Sequence, residues 1–484
     1  MTTASSTEVH RWRAFALLAV SFFMTIVDVT IVNVALPTIG RELDFSESNL
    51  QWVVTAYGLT FGGFLLLGGR AADLLGRRRI FMIGLALFTV ASLGAGLATS
   101  DGFLIVMRGL QGLGAAVVLP AALSIVTNMF SEGAERNRAL GIWGGIGAIG
   151  ATVGLIAGGL VTRYVGWEYI FFINVPIGVT ALLLARRIVP ESRLVGARRR
   201  FDPLGALTVT GSLLLLVYAI SEAPQVGWSA ARTVALLVAS AVLLIAFLVV
   251  ESRVEAPLMP LRLFRLRTLA VANAVGLLVG GSFFGFIFVG TLYMQQVLGY
   301  SALQAGTAWL ATTLTSLAVA GLSQKLVTRI SLGPVLAVGM TLVGGGVLWA
   351  AQVPEHGHFW GSLAGPFFIA GAGGGFSFVA VSIGGLAGIA EREAGVASGL
   401  LNTSQQLGGA IGVAIASTVA AAHTKTLLAD GHATNAALTG GFQWAFWVCG
   451  AIALLALPTT AVLLRRSRRD QIEGAIPAPS EAGT

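Results

Sequence analysis

Apolar runs of about 20 residues, the length a helix needs to cross the hydrocarbon core of a bilayer, recur along this chain with only short interruptions. We read fourteen, centred near residues 25, 60, 89, 115, 150, 177, 211, 240, 280, 313, 341, 370, 411 and 453. Together they take up most of the 484 residues, which leaves short loops and no room for a large soluble domain. Composition agrees. Charged residues make up 11% and apolar residues 55%, whereas soluble domains carry about 25% charged residues. The expected fold is an all-α integral membrane protein with 14 transmembrane helices, arranged as two six-helix bundles plus an inserted helix pair.

The basic residues orient the spans. With the N-terminus inside, 25 of the 30 Lys and Arg residues fall in inside segments, four fall outside, and Arg108 falls within a span. Cytoplasmic loops carry such an excess, so both termini are expected in the cytoplasm. The net charge of +8 is spread over short clusters between spans. That distribution does not make the continuous basic face that nucleic acid requires, so no nucleic-acid partner is expected.

Other classes are excluded by what the spans lack. Cys449 is the lone cysteine, and His10, His356, His358, His423 and His432 all lie in terminal or outer segments. No metal-ligand cluster, nucleophile–base constellation or Walker-type phosphate loop is legible. The expectation is a protein that is not an enzyme and has no metal and no cofactor. The first apolar run is too long for the core of a cleavable signal peptide.

Loop lengths divide the chain. A long inside segment, "RRIVPESRLVGARRRFDP", follows the sixth run, and a second polar stretch follows the eighth. The expected layout is a cytoplasmic tail (1–13), a six-helix bundle (14–187), a linker (188–201), an inserted helix pair (202–252), a linker (253–267), a second six-helix bundle (268–465) and a cytoplasmic tail (466–484). Parallel repeats of this kind recur among transporters.

Two ionisable residues lie deep in the first six runs, Asp28 and Arg108. At about 1.5 Å per residue, Asp28 lies roughly 21 Å from the inside surface and Arg108 roughly 10 Å from the outside one. In a core about 30 Å thick they share a level, so an ion pair or a common cavity can form. Charges at such depth are costly and tend to be functional. Burial favours the neutral carboxylic acid and a neighbouring arginine favours the carboxylate. A carboxylate set between the two effects can load and release a proton. A buried pair that only fixes packing is the competing reading.

Other stretches are less specific. "GRAADLLGRRR", after the second run, sets Asp73, the turn residue Gly76, Arg77 and Arg78 close to Gly69, which suits either an ion-pair latch or an inside anchor. In the fifth run Gly145, Gly147 and Gly150 spell GxGxxG, but no strand precedes them, so nucleotide binding is rejected. Gly147, Gly150, Gly154 and Gly158, with Gly159 beside them, instead form a smooth stripe for close helix approach, as fixed packing or as a moving interface. The second half offers amides and aromatics, including Gln295, Gln296, Asn402, Gln405 and the "FFGFIF" cluster that holds Phe284 and Phe288.

These residues resemble the major facilitator superfamily, in particular its fourteen-helix drug:proton antiporter branch. "DVTIVNVALP" (28–37) is similar to that branch's first-helix signature, "GRAADLLGRRR" to the superfamily's loop motif, and "RGLQGLGAA" (108–116) to the fourth-helix motif. "GWEYIFFINVPIG" and "YMQQVLGYSALQAG" also look characteristic of the branch. The resemblance implies proton coupling at Asp28 and Arg108 and gating by Gly69, Asp73, Gly76, Arg77 and Arg78. It also implies a central cavity between rocking bundles, for which Asn33, Tyr57, Gln111, Phe284, Phe288, Gln295, Gln296, Asn402 and Gln405 are candidates. One departure is Leu155, which stands where the family's fifth-helix motif places a proline after the glycine. A second is the lack of further membrane acids in the second half, which favours monocations or neutral lipophiles over dications. The implied protein is a monomeric exporter of small lipophilic drugs or antibiotics in a bacterial plasma membrane. It would be driven by protons and in contact with membrane lipids. Export of an endogenous lipid or metabolite, or a non-transporting scaffold role, are the alternatives.

Overall fold

The computed structural model describes residues 2–130, 134–191, 202–254, 257, 262, 265–387, 389 and 394–460. The long helices are α1 (Thr2–Glu42), α2 (Trp52–Leu75), α3 (Arg77–Gly96), α4 (Asp101–Met129), α5 (Ala134–Tyr164), α6 (Asn174–Ile188), α7 (Pro203–Val226) and α8 (Ala231–Arg253). They continue with α9 (Arg267–Gln296), α10 (Leu310–Ile330), α11 (Leu332–Ala350), α12 (Ala364–Leu386), α13 (Ala394–Ala429) and α14 (Thr434–Leu454). Among the described residues, 12 helical stretches are long and apolar enough to cross a membrane. The runs expected near residues 60 and 150 lie on α2 and α5, whose apolar stretches are shorter, Trp52–Leu65 and Val153–Tyr164.

Local chemistry sets the helix ends. Gly76 has φ +110° between α2 and α3, a conformation that costs a residue with a Cβ. Asp202 caps α7 by accepting from the Gly205 amide at 2.8 Å, and Pro203 occupies the first turn, where no N–H is needed. Pro37 lies inside α1 and can donate no hydrogen bond to the turn before it.

The helices pack in two sets. Within the first, α2 and α3 lie on α4 and α1 lies on α5; within the second, α9 lies on α13 and α12 on both α10 and α11. Small residues make the closest crossings possible. A methyl on Gly408 would overlap the Leu277 carbonyl, and one on Gly112 would overlap the Tyr57 carbonyl. Helices α7 and α8 clasp each other through Ser212 and Ser240, each hydroxyl donating to the other's backbone carbonyl at 2.8 Å. Thr210 of α7 donates to the Gly63 carbonyl of α2 at 3.1 Å, and α7 also touches α13.

One buried core runs through both sets. It joins Val34, Leu36, Leu50 and Leu155 to Val289, Leu292, Ala302 and Ala305. A separate core holds only residues of the first set, among them Phe15, Phe81, Phe88 and Ala122. The two sets meet through this core and again along α2 and α13, where Gly58 and Gly62 lie against Gln406, Leu407 and Ala410.

Candidate functional site

Asp28 and Arg108 meet. Arg108 Nη1 donates to Asp28 Oδ2 at 2.7 Å, and the side chains are 0% and 1% exposed. Isolated charges would be very costly at this burial, and here each of the two charges is paired with the other. Arg108 Nε donates to the Val53 carbonyl at 2.8 Å, and Nη1 also donates to Gln111 Oε1 at 3.0 Å. The guanidinium lies over the Tyr57 ring, 4.4 Å from its centroid.

The carboxylate is held as fully. Asp28 Oδ1 accepts from Gln111 Nε2 at 3.1 Å and from Asn174 Nδ2 at 2.8 Å. Ser92 Oγ accepts from the same two amides, at 2.7 and 3.4 Å. Arg108 and Gln111 are three apart on α4, which puts them on one helix face. The cluster thus takes one member or more from each of α1, α2, α3, α4 and α6. Chemically it is a carboxylate matched by one arginine, and it accepts three hydrogen bonds, one of them from that arginine. Protonation would remove the match and leave the arginine without a counter-charge.

Of the other sequence candidates, Tyr57 and Gln111 join this cluster. Asn33 is buried, and its amide donates to the Val29 carbonyl one turn earlier at 2.9 Å. Gln295 donates across to the Val34 carbonyl of α1 at 2.8 Å. Phe288 and Gln296 line a cleft with Leu50, Ser417, Thr424 and Phe442, of about 400 Å³ including its open mouth. Phe284 lies against Gly409, and the Gln405 side chain lies 3.4 Å from where a Cβ on Gly276 would be, so both sit along the α9–α13 crossing. Asn402 is half-buried on α13.

The glycine stripe faces α1. A Cβ on Gly147 would stand 3.3 Å from Phe22, on Gly150 3.1 Å from Ile26, on Gly154 2.9 Å from the Val27 carbonyl, and on Gly158 2.6 Å from the Ile31 carbonyl. Gly159 turns to the second set instead, 2.8 Å from the Ala302 carbonyl by the same construction. Helix α5 runs unbroken through Leu155, whose carbonyl a Cβ on Gly306 would overlap. In the loop motif, Gly69 lies near Pro120 and Arg77 is buried. Arg78 bonds to the Val189 carbonyl at 3.2 Å and pairs with Glu191 at 3.7 Å. The Asp73 side chain lies outside the described residues.

Sequence reasoning passed over Ser92 and Asn174. Asn174 stood within a motif stretch, an amide in an otherwise apolar run just before Pro176. Nothing in its spacing sets it apart from the other amides that lie in apolar runs.

Comparison with known proteins adds the following. The sequence profile of the Major Facilitator Superfamily matches residues 18–413. The chain is 38% identical to the puromycin resistance protein pur8 of Streptomyces alboniger over 461 residues, covering 94% of this chain and 90% of that one. It is 39% identical to the cephamycin export protein CmcT of Amycolatopsis lactamdurans, covering 85% of each. Its fold matches the crystal structure of a bacterial homologue of the human lysosomal transporter Spinster with TM-score 0.66 at 16% identity, covering 95% of this chain and 98% of that one.

Proposed function

The chain belongs to the Major Facilitator Superfamily, and from that premise we propose that Asp28 and Arg108 couple proton entry to the export of lipophilic drugs or antibiotics. The protein is a multi-pass membrane transporter of the drug and antibiotic efflux kind, not an enzyme. The proton step is our reading, and the observation that carries it is the enclosed Asp28–Arg108 pair with its three donated hydrogen bonds.

In this reading the fourteen long helices all span the membrane as six, two and six, with both termini in the cytoplasm. The shared core then lies at the outer face, and the cavity opens inward. Substrate, a monocation or a neutral lipophile, enters from the cytoplasm or inner leaflet. Asp28, sealed in the described state, takes up a proton from outside when the outer seam opens and gives it up to the cytoplasm once the cavity has turned inward. Protonation turns the ion pair into a lone buried arginine, which cannot persist, so α1 must move against α4 and α6. Since α1 also reaches the seam, local neutralisation and domain rocking share one helix. The working unit is a monomer surrounded by lipid.

The cephamycin relative is named for export of one antibiotic, which favours a narrow exporter of an endogenous metabolite as the second reading. Proteoliposomes loaded with a pH dye test the first. Lipophilic monocations and neutral drugs should elicit proton flux in wild type and none in Asp28→Asn. Equal traces from both would remove Asp28 from the coupling step.

A further inference from the structure

Gln295, at the end of α9, donates its amide to the Val34 carbonyl of α1 at 2.8 Å. This hydrogen bond joins the second set of helices to the first at a particular place. Val34 is fully buried, and a Cβ on Gly306 would lie 3.7 Å from its side chain while overlapping the Leu155 carbonyl. Four elements therefore converge there: α1, α5, α9 and the short helix Ala302–Ala308. Pro37 lies three residues further along α1. It supplies no N–H to the preceding turn, so the Asn33 carbonyl, next to Val34, lacks its usual intrahelical donor.

The far end of α1 is tied to its own half as well. Trp167 Nε1 donates to Glu42 Oε2 at 2.9 Å. If the seam parts, that bond carries the end of α1 away with the first set, and the Gln295 bond is the one that must break. In a dry seam an unmade carbonyl or amide bond is costly, so this contact favours the closed state over any in which the halves separate there.

We propose that Gln295 is a positioning residue, a latch that bonds the backbone of α1 at Val34, close to Pro37, and holds the two halves closed. Its amide is thereby committed to conformational balance and not to substrate. The proposal rests on the rocking-bundle reading above, but its test needs neither substrate nor a proton gradient.

Spin labels at Tyr164→Cys, an exposed site at the end of α5, and Thr307→Cys, exposed on the opposing short helix, report the seam. The buried Cys449 is replaced by Ser. Distance distributions in lipid nanodiscs should show one short population in the parent. Gln295→Met keeps the length and removes the donor, and should raise the long-distance population about three- to tenfold, as for loss of one hydrogen bond. Gln295→Glu, which sets an acceptor against the carbonyl, should raise it further. Gln296→Met, one residue on and lining the outer cleft, should leave it unchanged. Distributions identical to the parent in both Gln295 variants, or an equal shift in Gln296→Met, would overturn the latch. If Gln295→Met fails to fold, Gln295→Glu alone carries the comparison. A seam that shifts while drug-driven proton flux proves absent would keep the latch and count against antiport.

Discussion

Asn174 donates to the same oxygen of Asp28 that Gln111 reaches, at 2.8 Å, while Arg108 holds the other oxygen. Both carboxylate oxygens thus accept hydrogen bonds within one closed cluster.

Asp28→Asn should therefore destabilise the protein as well as uncouple it. Removing one partner of a buried ion pair costs about 3–5 kcal/mol because the other charge is stranded. Asp28→Asn combined with Arg108→Gln strands no charge and should recover most of the lost thermal stability without recovering proton flux. Melting curves of wild type, both single variants and the double variant check this. A double variant no more stable than the worse single would contradict it.

Asn174→Leu removes the hydrogen bond that Asp28 Oδ1 accepts from Asn174 at 2.8 Å. Loss of a hydrogen bond to a charged group costs about 1.5–3 kcal/mol, so the variant should melt at a lower temperature than wild type. Thermal denaturation in one detergent checks this, and an unchanged melting curve would refute the arrangement.

Close crossings make specific demands on glycine. Gly408→Ala drives a methyl into the Leu277 carbonyl, and such overpacking costs about 1–3 kcal/mol. Gly345→Ala, with nothing within 4 Å of the new Cβ, should be neutral or stabilising by up to about 1 kcal/mol, the helix preference of alanine. Thermal denaturation in one detergent compares the two, and equal effects would contradict the described α9–α13 contact.

Arg78 ties the start of α3 to the end of α6 through Glu191, with both side chains partly exposed. Exposed pairs of this sort contribute about 1 kcal/mol at most. Arg78→Ala should lower stability only slightly. A large loss on the same melting assay would mean that the contact does more than join two helix ends.

Much of this was legible in the sequence because membranes impose blunt rules. Among the described residues each of the fourteen apolar runs falls on a long helix, 12 of them apolar enough over membrane length, and matching depth along α1 and α4 anticipated that Asp28 and Arg108 could meet. What stayed illegible depends on which face a helix turns to which neighbour. The glycine stripe was readable, but that it faces α1 and leaves Gly159 to the second set was not. Gln295 read as a cavity amide because a sequence cannot show a backbone carbonyl 261 residues away. Ser92 and Asn174 are ordinary polar residues in isolation, and only the convergence of α3 and α6 on Asp28 gives them a role.

The most direct measurement is proton release on substrate binding. Purified protein in weakly buffered detergent is titrated with the lipophilic monocation it binds best, while an indicator follows pH. The account predicts that wild type releases a proton as the cation binds, and that Asp28→Asn binds the same cation with no release. Equal release from both proteins would contradict the assignment of the coupling proton to Asp28.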